Sequence, residues 1–364
     1  MKWFKTLYTT VVILLAAGVA TLAGALILWT IGADVTKTYS VIAFEPLKNA
    51  MQIGEVIIRA IPLTIIALGI SVAYRSGIIN IGAEGQMSMG ILAATAVALA
   101  LPNAPRFALL PLALTAGALG GAAWGFIPGI LRARLHVSEL LSTVMLNYIA
   151  AQFYTFCLRG PMLDPAEITM GSGTPQSMRL TRGVWLDRLL PGTRIHSGVW
   201  LALGLAFVIW LLLFRTSWGY RLRASGAGER AAKYGGIAVE RCLVTAMVIS
   251  GACAGLAGAV EIAGVHRRAI EGVTSGYGFS AIVVALFGGL HPAGIIPAAF
   301  FFGMLLVGAD MTQRMAGVPA NVVTALQGVI ILVIVATRMV LENPYLRERV
   351  GNRLFGSTER GGEA

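Results

Sequence analysis

The chain has 364 residues, of which 57% are hydrophobic and 12% charged, with a formal net charge of +11. An ordinary soluble domain carries about 25% charged residues, so this composition excludes a soluble globular fold and makes lipid the solvent for most of the chain. The positive balance belongs to loops that set membrane orientation, and nucleic acid is not implied as a partner.

Apolar runs fall near residues 7–31, 56–73, 84–101, 107–131, 140–158, 197–214, 242–262, 277–290, 293–310 and 319–340. A span needs about 20 apolar residues, so the expected fold is an all-α polytopic membrane protein of about ten helices. The first run is longer than a signal-peptide core and is read as a true helix. Runs eight and nine are nearly continuous through HPAG (291–294). They are expected to form a broken or re-entrant pair, which membranes tolerate only where protein or a watery cavity covers the exposed backbone. Residues 1–341 read as one transmembrane domain, and 342–364 as a polar tail.

Between runs two and three lies YRSGIINIGAEGQMSMG (74–90), with an arginine, an asparagine, a glutamate, a glutamine and four glycines. The glycines predict that helix two ends, the chain turns and helix three begins within 75–84, because each glycine costs a helix up to about 1 kcal/mol relative to alanine. Glu84 then falls in the first turn of helix three, where the dipole favours a negative charge. Buried charge in a bilayer needs a partner or water, and Arg75 is the candidate ion partner in sequence, although bracing or interface anchoring is the role preferred for it. Two readings stand for Asn80, Glu84 and Gln86: polar groups of a water-filled route, or braces of the helix break.

In run five, Glu139, Thr143, Asn147 and Tyr154 recur at helical spacing and share one face. That face turns toward the bundle, either for interhelical hydrogen bonds or to line a route with Thr143 and Asn147. The hydrophilic stretch 159–196 is rich in Pro and Gly, and within it VWLDRLL (184–190) predicts a short surface helix. In TSGYGFSAIVVALFGGL (274–290), glycines and aromatics again precede an apolar helix. Phe279 and Tyr277 suit stacking on a planar ring, and Tyr277 equally suits an interfacial belt.

The basic loop 215–241 contains GERAAKYGGI (228–237), which predicts one short helix. Glu229 and Lys233 are an i,i+4 pair, Gly235 and Gly236 stop the helix, and Ala231 and Ala232 allow close approach of another surface. With the N-terminus inside, 16 of the 28 basic residues face the cytoplasm, this loop and the tail among them. The three cysteines and four histidines show no metal-ligand spacing. None of the five lysines follows a glycine, so the chain has no Gly-Lys phosphate-binding loop.

The stretch RASGAGERAAKYGGI (223–237) resembles the cytoplasmic loop of importer permeases of the ATP-binding-cassette class. Arg223, Ala224, Gly226, Ala231, Ala232, Tyr234, Gly236 and Ile237 match, whereas Gly228 replaces a usual asparagine. GIINIGAEGQ (77–86), SELLSTVMLNYIA (138–150) and GYGFSAIVVALFGGLHPAG (276–294) resemble further blocks of that family in the same order, closest to its nucleoside-uptake subgroup. The resemblance implies a permease in a bacterial inner membrane with both termini cytoplasmic. It implies a cytoplasmic ATPase partner that holds ATP-Mg, with no cofactor in this chain and no catalysis by it. It also implies a second permease subunit, identical or homologous, and an extracytoplasmic solute-binding protein. Coupling to the ATPase would fall on Gly226, Glu229, Ala231, Ala232, Tyr234 and Gly236. A nucleoside is the expected solute; a simple sugar such as ribose or galactose is the alternative, and an ion-coupled secondary transporter ranks below both.

Overall fold

The computed structural model describes residues 2–319 apart from Ser172, and scattered positions from 322 to 340. The tail 342–364 and much of the tenth apolar run lie outside the described residues. Among the described residues the regular structure is helical: α1 (Lys2–Thr30), α2 (Val35–Phe44), α3 (Ala50–Arg75), α4 (Ala83–Ala100), α5 (Arg106–Leu135), α6 (Glu139–Arg159), α7 (Pro165–Met170), α8 (Gly198–Arg215), α9 (Ser217–Ala227), α10 (Glu229–Tyr234), α11 (Val239–Glu261), α12 (Tyr277–Phe287) and α13 (Pro292–Met315). Eight are long and apolar enough to cross a membrane: α1, α3, α4, α5, α6, α8, α11 with the π-turn that follows it, and α13.

The chain divides into two compact units, one of residues 47–306 and one of the segments flanking them. In the flanking unit, Leu28 is buried with Val318 and Leu326, and Asp34 caps α2 by accepting from the Lys37 N–H at 3.0 Å. The central unit is built around α3. Residues 61–73 of that helix are buried on every side, as expected of a post that is apolar all round. Helices α8, α11 and α12 pack against it, and α5 packs against α4 and α11.

The seam between α5 and α11 is made of glycines at four-residue spacing, Gly117, Gly121 and Gly125 facing Gly251 and Gly255. A Cβ built on Gly255 would sit 2.8 Å from the Gly121 Cα and would also strike the Gly117 carbonyl. Small residues at this spacing let backbones touch, which drives helix packing where lipid is as apolar as the side chains.

Helix α12 has 11 residues, about 16 Å at 1.5 Å per residue. That is half the thickness of the hydrocarbon layer, about 30 Å. After it the chain reverses through Gly289 and Leu290, both at positive φ, and α13 begins with Gly294 against Gly288. Runs eight and nine are therefore a broken pair, as the HPAG sequence predicts.

One expected element is absent. Residues 184–190 do not form a helix; a single 3-10 turn covers Arg182–Val184 and the rest is extended or bent. The backbone there is committed elsewhere, with the Leu186 N–H donating to the Ala263 carbonyl at 3.1 Å and the Leu189 N–H to the Ile195 carbonyl at 2.9 Å. Val184 and Leu186 are buried, while Leu190 is left exposed.

Candidate functional site at a helix break

The break between α3 and α4 is fixed by local chemistry. Ser76 closes α3, and Gly77 takes φ +86°, a left-handed conformation that an L side chain adopts only under strain. A Cβ at Gly77 would also press on the Gly226 backbone at 3.1 Å. Asn80 lies fully buried at the turn. Its Nδ2 donates to Gln86 Oε1 at 2.8 Å and to Ser250 Oγ at 2.8 Å, while its Oδ1 accepts from Gln86 Nε2 at 3.1 Å and from the Gly82 N–H at 2.9 Å. Every polar atom of this amide pair that faces the turn is satisfied inside the protein, which is the condition for burying it without a large penalty.

Glu84 stands in the first turn of α4, as its position in the sequence predicts. Its carboxylate does not pair with Arg75. Instead Oε1 accepts from the Gly276 N–H at 2.9 Å and Oε2 from the Gly278 N–H at 2.7 Å. These amides begin α12, so the carboxylate caps a second helix, satisfying donors that no intrahelical carbonyl can reach. Arg75 points the other way: its Nε donates to the Leu290 carbonyl at 2.8 Å, and its guanidinium lies 5.0 Å from the Phe214 ring centre. Arg75 thus holds the C-terminal end of the short helix and Glu84 its N-terminal end.

Helix α6 supplies a third clamp. Asn147 Oδ1 accepts from the Gly85 N–H at 2.9 Å and its Nδ2 donates to the Ile81 carbonyl at 3.0 Å. Thr143 is fully buried and donates back to the Glu139 carbonyl at 2.6 Å. Tyr154 is buried and its hydroxyl donates to the Ile270 carbonyl at 3.0 Å. Glu139 pairs with Arg132 at 3.3 Å. The stripe seen in the sequence therefore faces the bundle.

At α12 the two aromatics part company. Tyr277 is 3% exposed and accepts from Arg59 at 3.2 Å, which removes it from an interfacial belt. Phe279 is 49% exposed beside the Glu84 clamp. The partners that sequence reasoning missed are Ser250, Arg59 and the amides of Gly276 and Gly278. Ser250, a lone hydroxyl inside an apolar run, was visible in principle; backbone amides leave no side-chain signal.

The loop 215–241 contains the short helix expected within 228–237, α10, and a further helix before it, α9. Thr216 caps α9 by accepting from the Gly219 N–H at 3.0 Å, and α10 follows, with Lys233 Nζ 3.1 Å from Glu229 Oε1. Gly228 precedes α10 without a side-chain cap, as its departure from asparagine suggests. Gly235 and Gly236 end α10, the latter at φ +77°. Ala232 is buried and Tyr234 is 94% exposed. Gly226 lies so close to the Arg75 and Ser76 backbone that a Cβ would strike both. An open notch of about 840 Å³ runs along the loop, lined by Tyr220, Arg221, Ala231, Gly236 and Ile237.

Elsewhere in the same unit, residues 176–197 pack on the turn 262–271 and concentrate arginines around one indole. Arg267, Arg179 and Arg182 lie 4.0, 5.1 and 6.0 Å from the Trp185 ring centre. Burial lowers the Arg267 pKa, and repulsion from Arg188, Arg179, Arg194 and Arg182 lowers it further. Cys157, Cys242 and Cys253 are buried and free.

Residues 52–335 match the family described as branched-chain amino acid transport system / permease component. The guanosine ABC transporter permease protein NupP of Bacillus subtilis is 36% identical over 92% of this chain and 95% of its own length. The nucleoside ABC transporter permease protein NupB of Lactococcus lactis is 35% identical over 88% of this chain and 89% of its own. The glucose ABC transporter permease protein TsgB13 of Haloferax volcanii is 32% identical over 94% of this chain and 90% of its own. The four sequence blocks, the clamped helix break and these likenesses agree: the chain belongs to the branched-chain amino acid transport system / permease component family, as a multi-pass permease of the ATP-binding-cassette class.

Proposed function

We propose that this permease forms the route by which nucleosides enter a bacterial cell through its inner membrane. The observation that carries the reading is the clamped half-helix: α12 is too short to cross, both its ends are held by charged side chains from α3 and α4, and it carries an exposed Phe279. Irregular backbone at membrane depth needs a cavity or protein to cover it, and transporters place solutes at such discontinuous helices. An exposed phenyl ring there suits a flat base. Asn80, Glu84, Gln86, Thr143 and Asn147 hold the break in shape beside the route, and Phe279 faces the solute.

The partners follow from the same reading. A cytoplasmic ATPase, carrying ATP-Mg, engages α10 through Gly226, Glu229, Ala231, Ala232, Tyr234 and Gly236. An extracytoplasmic binding protein delivers solute at the opposite face, where arginines crowd Trp185 and suit an acidic surface. A second permease subunit completes the route; Bacillus subtilis has two guanosine permease proteins similar to this chain, NupP and NupQ. Both termini lie in the cytoplasm on this orientation.

A simple sugar is the second reading, favoured by the likeness to the glucose permease protein. Uptake of labelled guanosine into proteoliposomes distinguishes the two. The vesicles would hold this chain with its ATPase, second permease and binding protein, and unlabelled ribose and glucose would compete. ATP-dependent guanosine uptake that neither sugar blocks is expected. Uptake of a labelled sugar with no guanosine transport would replace the nucleoside by the sugar.

A further inference from the structure

The bundle-facing stripe of α6 leaves an opposite face, and that face has an unusual composition for lipid. Leu141, Met145, Tyr148, Ile149, Gln152 and Phe156 are all exposed. At 100° per residue they fall within about a 100° arc. Tyr148 is 67% exposed, one residue from the middle of Glu139–Arg159, and Gln152 is exposed three residues from it. Three residues are about 4.5 Å along a helix, so both lie near the middle of the bilayer. The Gln152 carboxamide has no hydrogen-bond partner among the described residues. Two donors and an acceptor left open at that depth cost several kcal/mol, and tyrosines exposed to lipid belong at the interfaces, not the midplane.

Helix α8 shows what a lipid face looks like in this protein. Its exposed residues between Gly198 and Leu213 are Trp200 near one end, then Leu203, Gly204, Phe207, Val208 and Leu211, and the only side chains there that carry a polar atom are the indoles of Trp200 and Trp210. The face of α6 departs from that pattern at two positions one helical turn apart.

We propose that this face of α6 is a wall of the transport route, with the Tyr148 ring packing on a flat ring of the solute and the Gln152 carboxamide hydrogen-bonding its polar edge. The inference rests on the permease reading above and adds two contact residues that the buried stripe does not contain. It also bounds the solute's charge. No Asp, Glu, His, Lys or Arg lies between Leu140 and Leu158, so the wall suits an uncharged solute and offers nothing to neutralise a phosphate. A nucleoside fits it; a nucleotide does not.

The test uses the complete transporter in proteoliposomes, with Gln152→Cys, and Phe207→Cys on α8 as the lipid-facing reference. The three native cysteines are buried, so the unsubstituted protein gives the background. The probe is a membrane-impermeant cationic methanethiosulfonate. Gln152→Cys should be modified at least about tenfold faster than Phe207→Cys, and guanosine should slow it; in uptake, Gln152→Leu should lower the guanosine-to-ribose ratio about tenfold or more, the scale on which losing a hydrogen-bonding contact shifts selectivity. Modification as slow as at Phe207 in a complex that takes up guanosine would overturn the wall. So would slow modification with ready cross-linking of Gln152→Cys to a neighbouring chain, which would make the face a subunit seam. Fast modification in a complex that carries only sugar would remove the nucleoside and leave the wall standing.

Discussion

Glu84 joins two segments 192 positions apart by a pair of charge-assisted bonds to backbone amides. Hydrogen bonds to charged groups contribute about 1.5–3 kcal/mol each, enough to offset the cost of about 2.5–3.5 kcal/mol for a carboxylate in the bilayer. Glu84→Gln keeps one acceptor and turns an NH2 toward an N–H, so one bond becomes a clash of donors. The purified protein should lose about 1.5–3 kcal/mol of stability, read as a lower melting temperature in detergent; Glu84→Asp should shift it by a similar amount, because the shorter side chain cannot reach both amides. An unchanged melting temperature in Glu84→Gln would mean that the clamp does not hold α12. The sequence made Glu84's place in the first turn of α4 legible, since glycines and a dipole decide it locally. Its partner was not legible. Arg75 is near in the chain, but α3 stays helical to its end and places that side chain against Leu290 and Phe214, while the true partners are amides of glycines that no side-chain pattern marks. Asn147 repeats the lesson: its helix and its inward face could be read, but its grip on Gly85 and Ile81 could not.

Among elements, the long apolar runs translate directly into α1, α3, α4, α5, α6, α8, α11 and α13 because period and length both favour helix. The shortness of α12 was hinted at by the glycines around it. The failed helix at 184–190 has a different cause: its apolar spacing fits a helix, yet Val184 and Leu186 are buried and the Leu186 N–H is committed to the Ala263 carbonyl, a tertiary contact that overrides local pattern. The glycines of α4, α5 and α11 would each weaken an isolated helix, and in the fold they are the contact surface. Two substitutions separate these meanings. Gly255→Ala should destabilise by about 1–3 kcal/mol through overpacking, because its Cβ meets backbone of α5 on both sides. Gly204→Ala on α8, where a Cβ meets nothing within 4 Å, should be neutral or gain up to about 1 kcal/mol of helix propensity. Melting temperatures of the two variants in one detergent decide it, and equal shifts would deny the seam its role.

For the whole molecule the question is where the driving energy enters. The chain has no Gly-Lys phosphate-binding loop, and on the proposed reading ATP acts through a surface, with α10 as the element that receives the push. It is a six-residue helix that carries the Glu229–Lys233 pair and is stopped by two glycines. Through Gly226 its loop lies against the residues that end α3, beside the clamped break. Movement of α10 therefore has a short mechanical path to Arg75, Gly77 and the turn that precedes Glu84. Tyr234, 94% exposed at the end of α10, is the side chain best placed to seat in a partner. Tyr234→Asp adds charge where the side chain touches little of its own protein, so melting temperature should move by no more than about 0.5 kcal/mol equivalent, as for surface substitutions generally. ATP-driven uptake should nevertheless fall about tenfold or more, because a desolvated charge at an interface weakens docking strongly. Pull-down of the ATPase subunit with the variant permease locates the loss. Full uptake with a firmly bound ATPase would move the point of coupling away from α10; lost uptake with lost binding would fix it there.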